Sequence, residues 1–288
     1  MKYDEGHRSA NVEDQRGAGG GMGGLGGGGG LPIRRLGLGG TLVLLLLSAI
    51  FGKDFLRGLS GPGAPASDAA RDPKEEELVS LVSFVLDDTQ STWAKTLPEQ
   101  TSTPYRDAKL VLFTDEVKSG CGYAESAMGP FYCPADEKVY IDLGFYRALR
   151  QKLGAPGDFA QAYVIAHEIG HHVQNVLGTE KKLRALQSGK SKEEKNELSV
   201  RMELQADCYA GIWAHSTQNR KILEEGDVEE ALGAASAVGD DRLQKAATGR
   251  TNPETWTHGS SAMRMRWFKR GFDSGRIDQC DTFGAGSL

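Results

Sequence analysis

The stretch AYVIAHEIGHHVQNVLG, residues 162–178, sets the tightest limit on how this chain can fold. Two histidines stand four apart, with a glutamate directly after the first, inside an apolar run. On a helix that spacing puts His167 and His171 on one face, one turn apart. Val164, Ile165, Ala166, Ile169 and Val173 surround them, so the helix has to be buried. Two unpaired imidazoles and a carboxylate in such surroundings would cost on the order of several kcal/mol. A shared metal ion removes that cost. Both ring nitrogens can meet one tetrahedral cation, and Glu168, about 100° further round, is placed to take a proton from water held there. With 6 histidines and 39 acidic residues in 288 positions, the pattern arises by chance about 0.02 times per chain, so coincidence is a poor account of it. His172 points about 100° away from His171 and reads as a surface or neighbouring histidine, not a ligand.

A third protein ligand has to come from elsewhere. The metzincin pattern would place it six residues after His171, with a glycine three after; those positions hold Leu177 and Gln174, which excludes that class. Glu203, Asp207, His215 and His258 remain downstream. In NELSVRMELQADCYAGIWAH, Glu203 and Asp207 share a helix face that continues through Ala210 and Ala214, small residues that allow a close helix approach. Glu203 is the expected third ligand, and Asp207, one turn on, accepts the outer N–H of a ligating histidine. Cys208 lies about 140° off that face and is not a ligand of this ion. One zinc ion is the expected cofactor.

The chain is 39% hydrophobic and 25% charged, enough for one substantial core. A net charge of −5 and the lack of a long basic stripe argue against a nucleic-acid partner. Residues 17–30, GAGGGMGGLGGGGG, have almost no side chains to bury and are expected to be disordered. Residues 36–52 form an uncharged, leucine-dense run at the short end of the membrane-spanning range, preceded by Arg34 and Arg35. The expected organisation is a disordered cytoplasmic segment 1–35, a transmembrane signal-anchor 36–52, a Gly/Pro/Ala/Ser linker 53–72 and one folded domain 73–288. That is a single-pass membrane protein with its amino terminus cytoplasmic and its domain periplasmic or extracellular. Four cysteines suit an oxidising compartment. Cys121 and Cys133 bracket the turn-rich CGYAESAMGPFYC and are expected to pair, and Cys208 with Cys280 follows by elimination from three possible pairings.

Helical periodicity and end signals place helices at 74–97, 158–177, 193–218, 228–247 and 260–273. The β-rich runs KLVLFT, GPFYCP and KVYIDLGFY read as a small antiparallel sheet, with 139–142 a candidate edge strand for an extended peptide. A few strands followed by packed helices make an α+β arrangement.

HEIGH together with ELQAD resembles the gluzincin arrangement of thermolysin-like and CAAX-protease/HtpX-type metallopeptidases, whose downstream motif is Glu-x-x-Ala-Asp. Closer still, the Gly-rich amino terminus, the apolar run, GPFYCPADEKVYIDLGFY, HEIGHHVQNVLG, ELQADCYAGIWAH and THGSSAMRMRWFKRGF resemble the neutral zinc metallopeptidases of the YpfJ type across nearly the whole chain. The resemblance implies a mainly helical, zincin-like metallopeptidase domain acting on a peptide or protein. It implies zinc on His167, His171 and Glu203, Glu168 as general base and Asp207 orienting His167. It also singles out THGSSAMR, where His258 and Arg264 fall like the histidine and arginine of a Thr-His-Pro-x-x-x-x-Arg element, with Gly259 in place of the proline. His258 would then donate to the oxyanion of the tetrahedral intermediate, or else cap a helix, and Arg264 would brace the acidic helix. Two alternatives stay open: a non-catalytic, zinc-stabilised membrane-anchored binding protein, and an amide hydrolase acting on a non-protein substrate.

Overall fold

The structure is a computed structural model that describes residues 1–17 and 73–288. Strand β1 (Val12–Asp14) precedes helix α1 (Pro73–Thr101), which opens on proline with Glu75 and Glu76 in its first turn, as a helix amino terminus favours. Five more strands follow: β2 (Lys109–Phe113), β3 (Glu116–Ser119), β4 (Gly122–Glu125), β5 (Phe131–Cys133) and β6 (Lys138–Asp142). Seven further α-helices follow among the described residues, besides three short 3-10 turns: α2 (Gly144–Gln151), α3 (Asp158–Val176), α4 (Thr179–Gln187), α5 (Lys192–Asn219), α6 (Asp227–Ala237), α7 (Asp240–Thr248) and α8 (Ser261–Ser274).

The sheet order is β1-β2-β6-β5. β2 pairs in parallel with both β1 and β6, with Val111 opposite Glu13 and Tyr140, while β5 runs antiparallel to β6. The expected antiparallel sheet is therefore mixed: the β3–β4 hairpin and β5 lie between β2 and β6 in sequence, and the chain re-enters beside β2 in the same direction. Strand β6, read from sequence as a candidate edge, is internal; the edge on that side is β5. Within strand β2, LVLF, residues 110–113, is continuously apolar because both sheet faces are covered there. Leu110, Leu112, Val139 and Ile141 join the main core with α1 and α3, and Val111, Phe113 and Tyr140 meet Val117 and Ala124 of the hairpin.

Three membrane-related expectations need correction. Among the described residues no helix is long and apolar enough to cross a membrane, and the expected transmembrane helix at 36–52 lies outside the described residues. Residues 1–17, expected within a disordered cytoplasmic segment, are built into the domain. Leu110 N donates to Asn11 O at 2.9 Å, Gln15 N to Leu112 O at 2.8 Å, and Arg16 reaches Glu75 and Glu76 at the start of α1. A strand cannot ladder with a domain across a bilayer, so a single-pass protein with its amino terminus and domain on opposite sides does not agree with this fold. The rest of the expected segment and the linker lie outside the described residues.

The expected helix at 228–247 is two, α6 and α7, because the chain breaks at Val238 and Gly239. Both expected disulfides are present, Cys121–Cys133 and Cys208–Cys280. The first ties the β3–β4 hairpin to β5; the second ties the short turn Ile277–Cys280 to α5. A carboxylate cluster at the start of α3, Asp158 with Asp227 and Glu230, is occupied from within: the Met1 ammonium lies 2.8 Å from Asp158 and 3.3 Å from Asp227.

Candidate metal centre

Helices α3 and α5 meet at Gly170. A Cβ there would lie 2.9 Å from Ala206 O and 3.1 Å from Ala206 Cα, so only a glycine allows this approach. The contact brings Glu203, one turn before Ala206, opposite the two histidines. The small residues that sequence singled out, Ala210 and Ala214, are buried further along α5 in the main core. On its other side α5 packs still more closely on α8, where a Cβ on Gly211 would lie 2.0 Å from Phe268 O and one on Gly271 1.9 Å from Cys208 O.

His167 Nε2 is 3.3 Å from Glu203 Oε2, and His171 Nε2 is 3.4 Å from Glu203 Oε1. Two ligands about 2.1 Å from a tetrahedral zinc are about 3.4 Å apart, so these separations are those of donors arranged around one such ion. The outer nitrogens are held in turn. His167 Nδ1 lies 2.9 Å from Asp207 Oδ1 and His171 Nδ1 lies 2.8 Å from Gln174 Oε1, which leaves each Nε2 lone pair directed at the gap. Asp207 is fully buried, and it accepts from Arg264 Nε at 2.8 Å, from an Arg264 terminal nitrogen at 2.9 Å and from the Tyr163 hydroxyl.

The surroundings favour positive charge. Burial alone would lower His167, but the charge and hydrogen bond of Asp207, with Glu203, lift it to about 9. Burial would lower His171 too, and the Glu203 charge raises it. Glu203 is held well below the ordinary carboxylate value: burial pushes it up, and the neighbouring His171 and His258 charges more than reverse that. Donor types, spacing, tautomers and field all fit a divalent cation.

The three residues and Glu168 line a cleft of about 470 Å³ whose other walls are largely apolar, among them Met128, Phe131, Phe145, Val164, Met202 and Leu243. His258 also lines it, with Nδ1 3.0 Å from Thr257 Oγ1 and 3.4 Å from Asp240 Oδ1. Asp240 is itself buried and accepts the backbone N–H groups of Thr257, His258 and Gly259 at 2.7, 2.7 and 3.0 Å.

Other residues read from sequence fall elsewhere. His215 Nδ1 bonds Phe272 O, and Cys208 is in its disulfide. His172 is not on the surface: it is buried, its Nε2 bonds Arg106 O at 2.6 Å and its Nδ1 meets the Tyr132 hydroxyl at 3.0 Å, fastening α3 to β5. Sequence reasoning missed Tyr163, Gln174, Gln205 and Asp240. Tyr163 could have been found, being four before His167 on the same face. Asp240 could not, since the sequence placed it inside one helix.

These features define a mainly helical protein whose two central helices bring together, in an apolar cleft, three side chains able to hold a metal ion. The family described as "Putative neutral zinc metallopeptidase" matches residues 1–283, and the chain belongs to it. YpfJ of Escherichia coli strain K12, named an uncharacterized protein, is 49% identical over 286 residues, 99% of each chain. Mb2605 of Mycobacterium bovis and Rv2575 of Mycobacterium tuberculosis, named likewise, are each 46% identical over 209 residues, 69% of this chain and 68% of theirs. No solved structure matches.

Proposed function

We propose that this protein hydrolyses peptide bonds, with zinc held by His167 Nε2, His171 Nε2 and Glu203 and with Glu168 as the general base. The observation that carries the reading is the placement of both imidazoles 3.3 and 3.4 Å from one carboxylate, beside Glu168, in an open cleft. Bound there, zinc supplies a Lewis acid for the scissile carbonyl and lowers the pKa of water. Glu168 accepts the water proton and returns it to the leaving amine. His258 has its Nδ1 engaged by Thr257 and Asp240; burial would lower its pKa, the Glu203 and Asp240 charges raise it, and as an imidazolium it offers its other ring N–H to the developing oxyanion. Asp207 fixes the His167 tautomer, and Arg264 balances the Asp207 charge. A purely structural zinc site closes all four positions with protein donors, whereas these three donors open onto a cleft.

The test is Glu168→Gln in the zinc-loaded protein, assayed on a library of quenched fluorescent peptides. Zinc content is expected to stay at one per chain while turnover falls about 10²- to 10⁴-fold. Full turnover in that variant removes Glu168 from its role, and absence of zinc from the wild type removes the reading altogether.

A further inference from the structure

A chain of hydrogen bonds leaves the candidate metal centre on the His171 side and runs away from the cleft. His171 Nδ1 is 2.8 Å from Gln174 Oε1. Gln174 Nε2 donates to Met202 O at 2.7 Å and to Gln205 Oε1 at 3.1 Å. Gln205 Nε2 donates to Cys280 O at 2.9 Å, and Cys280 is cross-linked to Cys208. Gln174, Gln205 and Cys280 are all buried, so these amides have no water to substitute for a lost partner.

The direction of every bond in this chain is fixed by two backbone carbonyls, which can only accept. Met202 O holds the amide nitrogen of Gln174 toward α5 and so turns its oxygen toward His171. Cys280 O does the same for Gln205, turning its oxygen toward Gln174. Facing an acceptor, His171 Nδ1 must carry the proton, and a neutral imidazole then has its lone pair on Nε2, the nitrogen next to Glu203. Reversing the Gln174 amide would set its oxygen against two other oxygens and its nitrogen against the ring N–H. Two glutamines thus convert the position of main-chain carbonyls into the tautomer of a side chain in the site.

We propose that Gln174 and Gln205 form a positioning relay for His171, anchored at its far end by the Cys208–Cys280 disulfide, so that the carboxy-terminal turn helps to set the affinity of the metal centre. The proposal rests on the reading of His171 as a ligand. Neither glutamine touches the ion; each acts through the orientation of the ring.

The experiment measures zinc dissociation constants by chelator competition, and visible absorption bands after cobalt substitution, on the full chain. Gln205→Met fills the same space without hydrogen bonds. It leaves Gln174 held by Met202 O alone and is expected to weaken zinc about 3- to 10-fold, no more than the lower edge of the loss for residues bonded directly to a ligand, and to shift the cobalt bands. Wild-type affinity and spectrum in Gln205→Met overturn the relay, even if the melting temperature falls. Should that variant not fold, the Cys208→Ala/Cys280→Ala pair is read in the same way, and an unchanged spectrum there removes the anchor. His171→Ala separates the two readings: retention of tight zinc by this variant overturns His171 as a ligand, while its loss beside a wild-type Gln205→Met overturns the relay alone.

Discussion

Replacing Gly170 by alanine tests the idea that helix approach sets the metal geometry. The added methyl would sit 2.9 Å from Ala206 O and 3.1 Å from Ala206 Cα, where ordinary contact begins near 3.4 Å. The helices must therefore part by about 0.5 Å at this point, since a methyl carbon beside a carbonyl oxygen needs about 3.3–3.6 Å. Two opposing terms act on stability: alanine is better than glycine in a helix by up to about 1 kcal/mol, and overpacking costs about 1–3 kcal/mol. The metal-free protein should lose roughly 0–2 kcal/mol. Zinc should suffer more, because a shift of about 0.5 Å between the histidine helix and Glu203 exceeds the tolerance of about 0.2 Å in ligand distances. We expect zinc affinity to drop about 10- to 100-fold by chelator competition, with calorimetry of the metal-free protein reporting the smaller stability loss. The obstruction is mainly backbone, so Ala206→Gly added to Gly170→Ala should not restore binding. Zinc affinity within twofold of wild type in Gly170→Ala would refute the reasoning.

Arg264→Met leaves the Asp207 carboxylate buried without its cation and should cost about 3–5 kcal/mol in urea denaturation, with Asp207→Asn in the same chain recovering part of that. Asp240 is held below its ordinary value of 3.8: burial would raise it, and His258 with the backbone N–H groups outweighs that. Its folded-state pKa is depressed, so its contribution is present above the unfolded value and is lost as pH falls through the folded one. Acid titration of stability should show a shallower loss below about pH 4 in Asp240→Asn. Chain entropy assigns about 4 kcal/mol to the Cys208–Cys280 link, which spans 72 residues, and about 3 kcal/mol to Cys121–Cys133, which spans 12. Paired alanine variants compared by denaturant melts should keep that order.

The residues of the candidate centre were legible because helical spacing is a local property. His167 and His171 four apart, and Glu203 and Asp207 four apart, each define a face without any knowledge of the fold. What the sequence did not contain was which faces meet: Gly170 against Ala206 is a contact between residues 36 positions apart. Strand direction was misread for the same reason. KLVLF and KVYID both look like hairpin partners, yet their parallel register depends on how an intervening hairpin and β5 turn the chain. The first 17 residues were misread because a three-residue strand, VED, has no apolar pattern of its own; it is recruited by the open side of β2. Gln174 was met in the sequence only as the wrong residue for another family's pattern. Its partners, Met202 O and Gln205, are supplied by a different helix.

The two histidines are oriented by different chemistry, and charge explains why. With both imidazoles neutral, Glu203 and Glu168 supply two negative charges to the candidate centre, and His258 stands beside Glu203 as a positive one. Orienting His167 with Asp207 adds a third negative charge, and Arg264 cancels it through two hydrogen bonds at 2.8 and 2.9 Å. Tyr163 and the His167 N–H also donate to Asp207 Oδ1, so that the buried carboxylate accepts four hydrogen bonds, three on Oδ1 and one on Oδ2. A second carboxylate behind His171 would need a second buried guanidinium, and each such pair has to recover a desolvation penalty of several kcal/mol per ion. A glutamine avoids that by borrowing its direction from a main-chain carbonyl. No further charge is thereby buried behind His171, while both rings remain fixed.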